Sequence, residues 1–228
     1  MPLNSNKQQK ALSQKIVTYI PFAGLNTIYR ALDKQVQNVL DIGCGDGELM
    51  KLIVSRRSLY SVGVDIFEPY LRNCKKLGSH SDLIRADIRE LPIKPKSFDV
   101  VLCVEVLEHL DKAEGMQLLT AMEKIARTKV IITTPFGEHE QHAVDGDPEQ
   151  AHKVIWTFKE LKECGYKIHG KGLNMPRKTD NQGRTEFLLP IIFKPFGKLI
   201  WNLATPFTYF FPRFAGRGIC IKIVKTEL

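Results

Sequence analysis

The sequence predicts an α/β fold: a mostly parallel sheet covered by helices on both faces. Three observations carry that prediction. Short apolar strands alternate with helical stretches from about residue 36 to residue 172. The runs Val100-Val101-Leu102-Cys103 and Val130-Ile131-Ile132 are continuous rather than alternating, which suits strands buried on both sides. The first strand also runs straight into a turn of alternating glycines and then into a helix.

Residues 7–32 space Leu12, Ile16, Ile20, Leu25, Ile28 and Leu32 as one or two helices broken near Pro21 and Gly24. The first strand covers 36–42 and feeds Gly43-Cys44-Gly45-Asp46-Gly47, after which 48–57 has helical periodicity. Strands at 61–65, 82–86, 98–103 and 130–134 alternate with helices at about 69–77 and 111–126. A helix at 157–164, a strand at 166–171 and a closing strand at 218–224 complete the series, and the whole reads as a single domain over 1–228 with an N-terminal helical segment at 1–35.

Hydrophobic residues make up 43% and charged residues 25% of the 228, a balance that excludes wholesale disorder. Five cysteines form no C-x-x-C pair, and no apolar leader with a cleavage site opens the chain, so the expected setting is cytoplasmic. Residues 1–165 hold 22 Lys and Arg against 22 Asp and Glu, whereas 166–228 hold 11 against three. The net charge of +8 therefore belongs entirely to the C-terminal part and points to an anionic partner there.

The strand–glycine turn–helix at Asp41, Gly43, Cys44, Gly45 and Gly47 brings a backbone close to a ligand, with helix N–H groups behind it. It is not the dinucleotide fingerprint, because Glu48 stands where a third small residue is required. No Gly-Lys-Ser/Thr follows, which excludes a P-loop. Asp65 ends the second strand 18 residues after Gly47, where a carboxylate can accept both hydroxyls of a ribose. Asp87 ends the third strand and can accept from an exocyclic amine. Glu105, Glu108 and His109 follow the fourth.

Together these motifs resemble a class I S-adenosylmethionine-dependent methyltransferase of the small-molecule type over residues 36–172. The resemblance implies a Rossmann-like seven-stranded sheet with the last strand antiparallel. It implies S-adenosylmethionine as cofactor, with its methionine part on Asp41, Gly43, Cys44, Gly45 and Gly47. Its ribose would lie on Asp65 and its adenine against Ile66 or Phe67, with Asp87 and the backbone of Ile88 on the amine. Cys103 would offer its carbonyl to the ammonium. The stretch Thr134-Pro135-Phe136-Gly137, then Asp147-Pro148-Glu149-Gln150-Ala151-His152 and Trp156-Thr157, resembles a subgroup with a T-P-x-G loop, some of it linked to glycan or lipid modification.

An oxygen acceptor would need a base, and His139, His142 and His152 after the fifth strand are candidates together with Glu105. These histidines with Glu138, Glu140 and Asp145 have ligand chemistry but no clear scaffold, so no metal is expected. The methyl acceptor is expected to be a small molecule or lipid-linked, and O-methylation is the favoured reaction. A C- or N-methyltransferase, a regulatory module that binds the cofactor without chemistry, and a nicotinamide oxidoreductase are the rivals.

Residues 173–217 form a basic, apolar insertion between the last two strands. Within it, 187–214 carries nine aromatic residues and no acid. Its longest uncharged run is 14 residues, 199–212, too short to span a bilayer, which takes about 20. A lid or homodimer face is one reading, and peripheral contact with the inner membrane face is the other. The density of Phe and Ile argues against nucleic acid.

Overall fold

A computed structural model describes residues 24–144, 146–182, 184–190 and 196–224. The helix expected before residue 24 lies outside the described residues. A seven-stranded sheet forms in the order β3-β2-β1-β4-β5-β10-β7. Its strands are β1 (Asn38–Ile42), β2 (Tyr60–Asp65), β3 (Asp82–Arg85), β4 (Phe98–Val104), β5 (Ala126–Pro135), β7 (Lys167–Leu173) and β10 (Ala215–Ile223). The first five run parallel to one another. The last strand, β10, runs antiparallel between β5 and β7, as the sequence predicts.

Asp99 starts the β1–β4 register. Its carboxylate accepts the N–H groups of Gln37 (2.9 Å) and Asn38 (3.2 Å), and Arg127 closes on it from β5 (3.1 Å). The two faces of the sheet then alternate. Leu40, Ile42, Val101, Cys103 and Ile132 face one core with Leu118, Leu119 and Met122 of α4 (Lys112–Ile125) and Leu161 of α5 (Phe158–Glu163). Val39, Val100, Leu102, Ile131 and Ile219 face the other, with Ile28 of α1 (Gly24–Ala31) and Met50 and Ile53 of α2 (Glu48–Val54). A third helix, α3 (Glu68–Leu77), packs beside β2 and β3. Both helical layers are thus in place, because a two-sided apolar sheet must be covered twice.

The insertion folds more than its composition suggests. β6 (His139–Gln141), β8 (Arg177–Thr179) and β9 (Thr185–Phe187) make a second, three-stranded sheet. Two short helices follow, α6 (Gly197–Leu203) and α7 (Thr205–Phe210). Trp201, Thr205 and Thr208 turn inward onto β7. The Trp201 indole occupies the space a side chain at Gly172 would take, and Gly172 holds φ of +63° there, a conformation glycine adopts without strain. Leu199, Leu203, Phe207, Phe210, Phe211 and Phe214 turn outward, with Leu203 71% and Phe210 66% exposed. The usual amphipathic order is inverted here. Threonines are buried and an apolar stripe is presented to the outside.

Candidate functional site

A cavity opens at the carboxyl edge of the sheet. Gly43, Asp65, Ile66, Asp87, Glu105 and His109 line it. The glycine turn above β1 has the left-handed backbone that the spacing predicts, with φ of +65°, +52° and +79° at Gly43, Gly45 and Gly47. A Cβ on Gly43 would sit 2.5 Å from Val106 Cγ2, so glycine there lets β1 and the turn after β4 meet at the cavity wall. One Asp65 oxygen accepts the Gly45 N–H and the other the Phe67 N–H, both at 2.9 Å. An ionised carboxylate has about four acceptor positions, so two remain for ligand hydroxyls. Burial raises the Asp65 carboxyl above the usual carboxylate range, and those two N–H groups oppose the rise.

The sequence-predicted residues divide by placement. Gly43, Asp65, Ile66, Asp87, Ile88 and Glu105 are on the cavity. Asp87 caps the turn Ile88–Glu90 through the Arg89 N–H (2.9 Å) and also holds the Arg89 side chain, whose guanidinium reaches Glu114 and Glu149. Phe67 instead packs edge-on against Tyr70. Asp41 is buried and meets His80 Nε2 at 3.2 Å. Cys44 turns its Sγ toward Cys74 (4.0 Å), and the Cys74 thiol donates to the Gly45 carbonyl. Gly45 and Gly47 shape the turn, and Cys103 lies fully buried within β4, paired with Ile42 and Ile132.

At the far end of the cavity, Glu105 adopts φ of +55°, a left-handed conformation that costs a non-glycine residue energy and concentrates at functional sites. Its carboxylate accepts from the Thr133 hydroxyl (2.7 Å) and pairs with Arg217 (2.7 Å). Three residues on, Glu108 is 1% exposed. One of its oxygens accepts from Thr134 Oγ1 (3.0 Å) and the other has no partner. Burial, with Glu105 nearby, pushes the Glu108 carboxyl well above the usual range.

The three loop histidines part company. His139 and His152 stack edge-on with ring centroids 4.7 Å apart, and His109 meets His152 at 5.0 Å. His142 is exposed and paired with Glu140 (2.9 Å). Burial, reinforced by neighbouring cationic groups, lowers His139 to about 3 and His152 to about 4, so both rings are neutral. His139, His142 and His152 line a second, open cavity with Arg177 and Leu188.

The loop motifs explain how this happens. Trp156 is buried, and its indole N–H donates to the Leu107 carbonyl (3.0 Å). Thr157 then caps α5 in a reciprocal capping box with Glu160. The N–H groups of Lys153 and Val154 both donate to the Glu108 carbonyl, which tacks His152 beside His109. Sequence reasoning missed the part of Glu108 and the three-histidine stack. The Glu105, Glu108, His109 spacing was the available signal, since i, i+3 and i+4 share one side of a helical turn.

Residues 40–132 match the family model of the methyltransferase domain. That stretch runs from β1 into β5 and is similar to the methyltransferase domain. The chain is 35% identical over 96 residues to the ubiquinone biosynthesis O-methyltransferase of Hahella chejuensis, a match spanning 40% of this chain and 39% of that protein. It is 28% identical over 130 residues to an uncharacterized protein of Methanocaldococcus jannaschii, spanning 57% and 55%. The chain thus spans about half or less of the curated relatives it matches. Two solved folds resemble it. An S-adenosylmethionine-dependent methyltransferase from Archaeoglobus fulgidus has a TM-score of 0.54 at 21% identity, covering 87% of this chain and 94% of that one. The Haloferax volcanii putative methyltransferase, solved with its Trm112 activator, has 0.57 at 12% identity, covering 90% of both. No helix among the described residues is long and apolar enough to cross a membrane.

Proposed function

We propose that this methyltransferase carries a methyl group from S-adenosylmethionine to an oxygen of a small or lipid-linked acceptor, working at the inner face of a membrane. The observation that carries the reading is the outward stripe Leu199, Leu203, Phe207, Phe210 and Phe214. Trp201, on the inner side of that stripe, has its ring 6.0 Å from the Arg177 guanidinium, and Arg177 lines the second cavity. Lys198 and Arg213 flank the stripe, and residues 187–214 contain no acid to repel an anionic lipid surface.

Asp65 and Asp87, on the first cavity, would hold the ribose hydroxyls and the adenine amine of S-adenosylmethionine, which would supply an electrophilic methyl group. Glu105, on the first cavity and held by Thr133 and Arg217, fixes the acceptor hydroxyl. His139 and His152 shape the acceptor side as neutral imidazoles. Displacement at a methyl group depends mainly on alignment, so holding donor and acceptor in line supplies much of the acceleration. The similarity to ubiquinone biosynthesis O-methyltransferases supports oxygen as the attacked atom.

The test incubates purified protein with methyl-labelled S-adenosylmethionine and anionic vesicles made from a bacterial lipid extract. Label is expected in the organic phase, and Leu203→Glu with Phe210→Glu is expected to abolish vesicle co-sedimentation. Label confined to water-soluble products, from a protein that binds S-adenosylhomocysteine, overturns the lipid reading. Unchanged sedimentation together with a shift from dimer to monomer would assign the stripe to a homodimer face instead.

A further inference from the structure

We propose that Glu108, His109 and His152 form a binding site for a divalent transition-metal cation between the two cavities. Each of these residues offers one ligand atom, and the three atoms lie within 4.8 Å of one another. Ligands on a single cation at about 2.1 Å in tetrahedral geometry are roughly 3.4 Å apart. The widest pair therefore needs to close by at most roughly 1.4 Å, within the reach of side-chain adjustment.

Hydrogen bonds hold both rings. His152 Nδ1 is 2.7 Å from the His139 carbonyl, and His109 Nδ1 is 3.1 Å from the Ala151 carbonyl. A carbonyl only accepts, so Nδ1 carries the proton in the His152 ring and its Nε2 keeps its lone pair, while the His109 ring meets a second carbonyl, that of Glu105. Imidazoles that bind metals are oriented in this way, by donating the other ring N–H to a carbonyl or carboxylate. The carboxylate is equally placed. Glu108 is 99% buried, anchored at one oxygen by Thr134, and its second oxygen has no hydrogen-bond partner. A buried acceptor left unpaired is costly, and coordination of a cation relieves it.

The position has a use. His109 lines the first cavity and His152 the second, so the cluster is part of the wall where a cofactor and an acceptor would meet. Three protein ligands leave at least one coordination position open. The inference rests on the proposed oxygen acceptor: a cation there would hold the acceptor hydroxyl and make it more acidic, with the proton released to water. Two imidazoles and one carboxylate suit Mn²⁺, Fe²⁺, Co²⁺ or Zn²⁺ better than Mg²⁺ or Ca²⁺, which favour all-oxygen sets. The loop set considered from sequence is different, since His142 points to solvent with Glu140.

The test uses the full chain, stripped with a chelator, dialysed, and titrated with Co²⁺ while its visible spectrum and binding heat are followed. A parallel titration with S-adenosylhomocysteine reports on the cofactor cavity. One Co²⁺ per chain is expected, with affinity falling by at least about 10–100-fold in Glu108→Gln, His109→Ala and His152→Ala. His142→Ala is expected to bind normally. No saturable Co²⁺ binding by a protein that binds S-adenosylhomocysteine overturns the metal site and leaves the methyltransferase reading standing. Stoichiometric binding that survives His109→Ala and His152→Ala also overturns it. If those variants fail to fold, Mn²⁺ broadening of the wild-type histidine ring signals decides. Selective broadening of His109 and His152 supports the site, and broadening of His142 alone refutes it.

Discussion

Gly43 and Gly45 share a left-handed backbone but differ in what surrounds them, and that difference predicts unequal costs for the same substitution. Gly45→Ala introduces a side chain at φ of +52° with nothing within 4 Å of its Cβ. Only the backbone penalty applies, about 1–2 kcal/mol. Gly43→Ala carries the same penalty at φ of +65° and also drives its methyl to 2.5 Å from Val106 Cγ2. Overpacking of that kind adds about 1–3 kcal/mol, for a total of roughly 2–5 kcal/mol. At 2–4 °C per kcal/mol for a chain of this size, melting is expected to fall by roughly 2–8 °C for Gly45→Ala and 4–20 °C for Gly43→Ala. Trimming the neighbour separates the two terms. In the double variant Gly43→Ala/Val106→Ala the overpacking disappears, so the double costs about 1–3 kcal/mol less than the sum of the singles. Differential scanning fluorimetry of the wild type and the four variants, with titration of S-adenosylhomocysteine, measures both stability and the cavity. Equal losses for the two glycines, or simple additivity with Val106→Ala, would refute the argument that contact between the two turns builds the wall.

Three further outcomes are expected. Asp65→Asn replaces one of two acceptor oxygens with a donor and leaves the Gly45 or Phe67 N–H unpaired, so it should cost about 1–3 kcal/mol and weaken S-adenosylhomocysteine at least about tenfold by calorimetry. Thr157→Ala removes the cap of α5 and should cost about 1 kcal/mol in urea unfolding without changing cofactor affinity. For His80, burial opposes the charged form, but Asp41 and Cys74 outweigh it and hold the imidazole at about 9. A folded value above the unfolded one, about 6.5, means that the contribution is complete below pH 6.5 and is lost as pH rises through about 9. The stability gap between wild type and His80→Gln should therefore narrow across that interval, and a gap that stays constant from pH 6 to 10 would contradict the assignment.

The parallel sheet was legible because its signals are local. Val100–Cys103 reads as a strand whatever lies around it, and glycines at 43, 45 and 47 announce a left-handed turn. Asp65 and Asp87 were found because strand ends place residues at one edge of such a sheet, a rule of topology that needs no contact map. The insertion was less legible. Its density of Phe and Pro suggested a single greasy segment. The structure instead makes a small sheet of β8 and β9 with β6, which joins from a distant stretch of chain, and then the two short helices α6 and α7.

Sequence by itself determined the α/β class, the order of the main strands and helices, and the glycine turn. These follow from periodicities of a few residues and from the conformational rules of glycine. Only the tertiary structure decided which of Glu105, Glu108, His109, His139, His142 and His152 stand together. His109 and His152 are 43 positions apart in the chain, and two N–H groups bonded to the Glu108 carbonyl bring their rings within 5.0 Å. His142, only three residues from His139, is turned out to solvent. Adjacency across a folded loop is set by where the backbone hydrogen bonds go and which side chain fills the core. Trp156 does the latter here, and neither condition is written in the spacing of the histidines themselves.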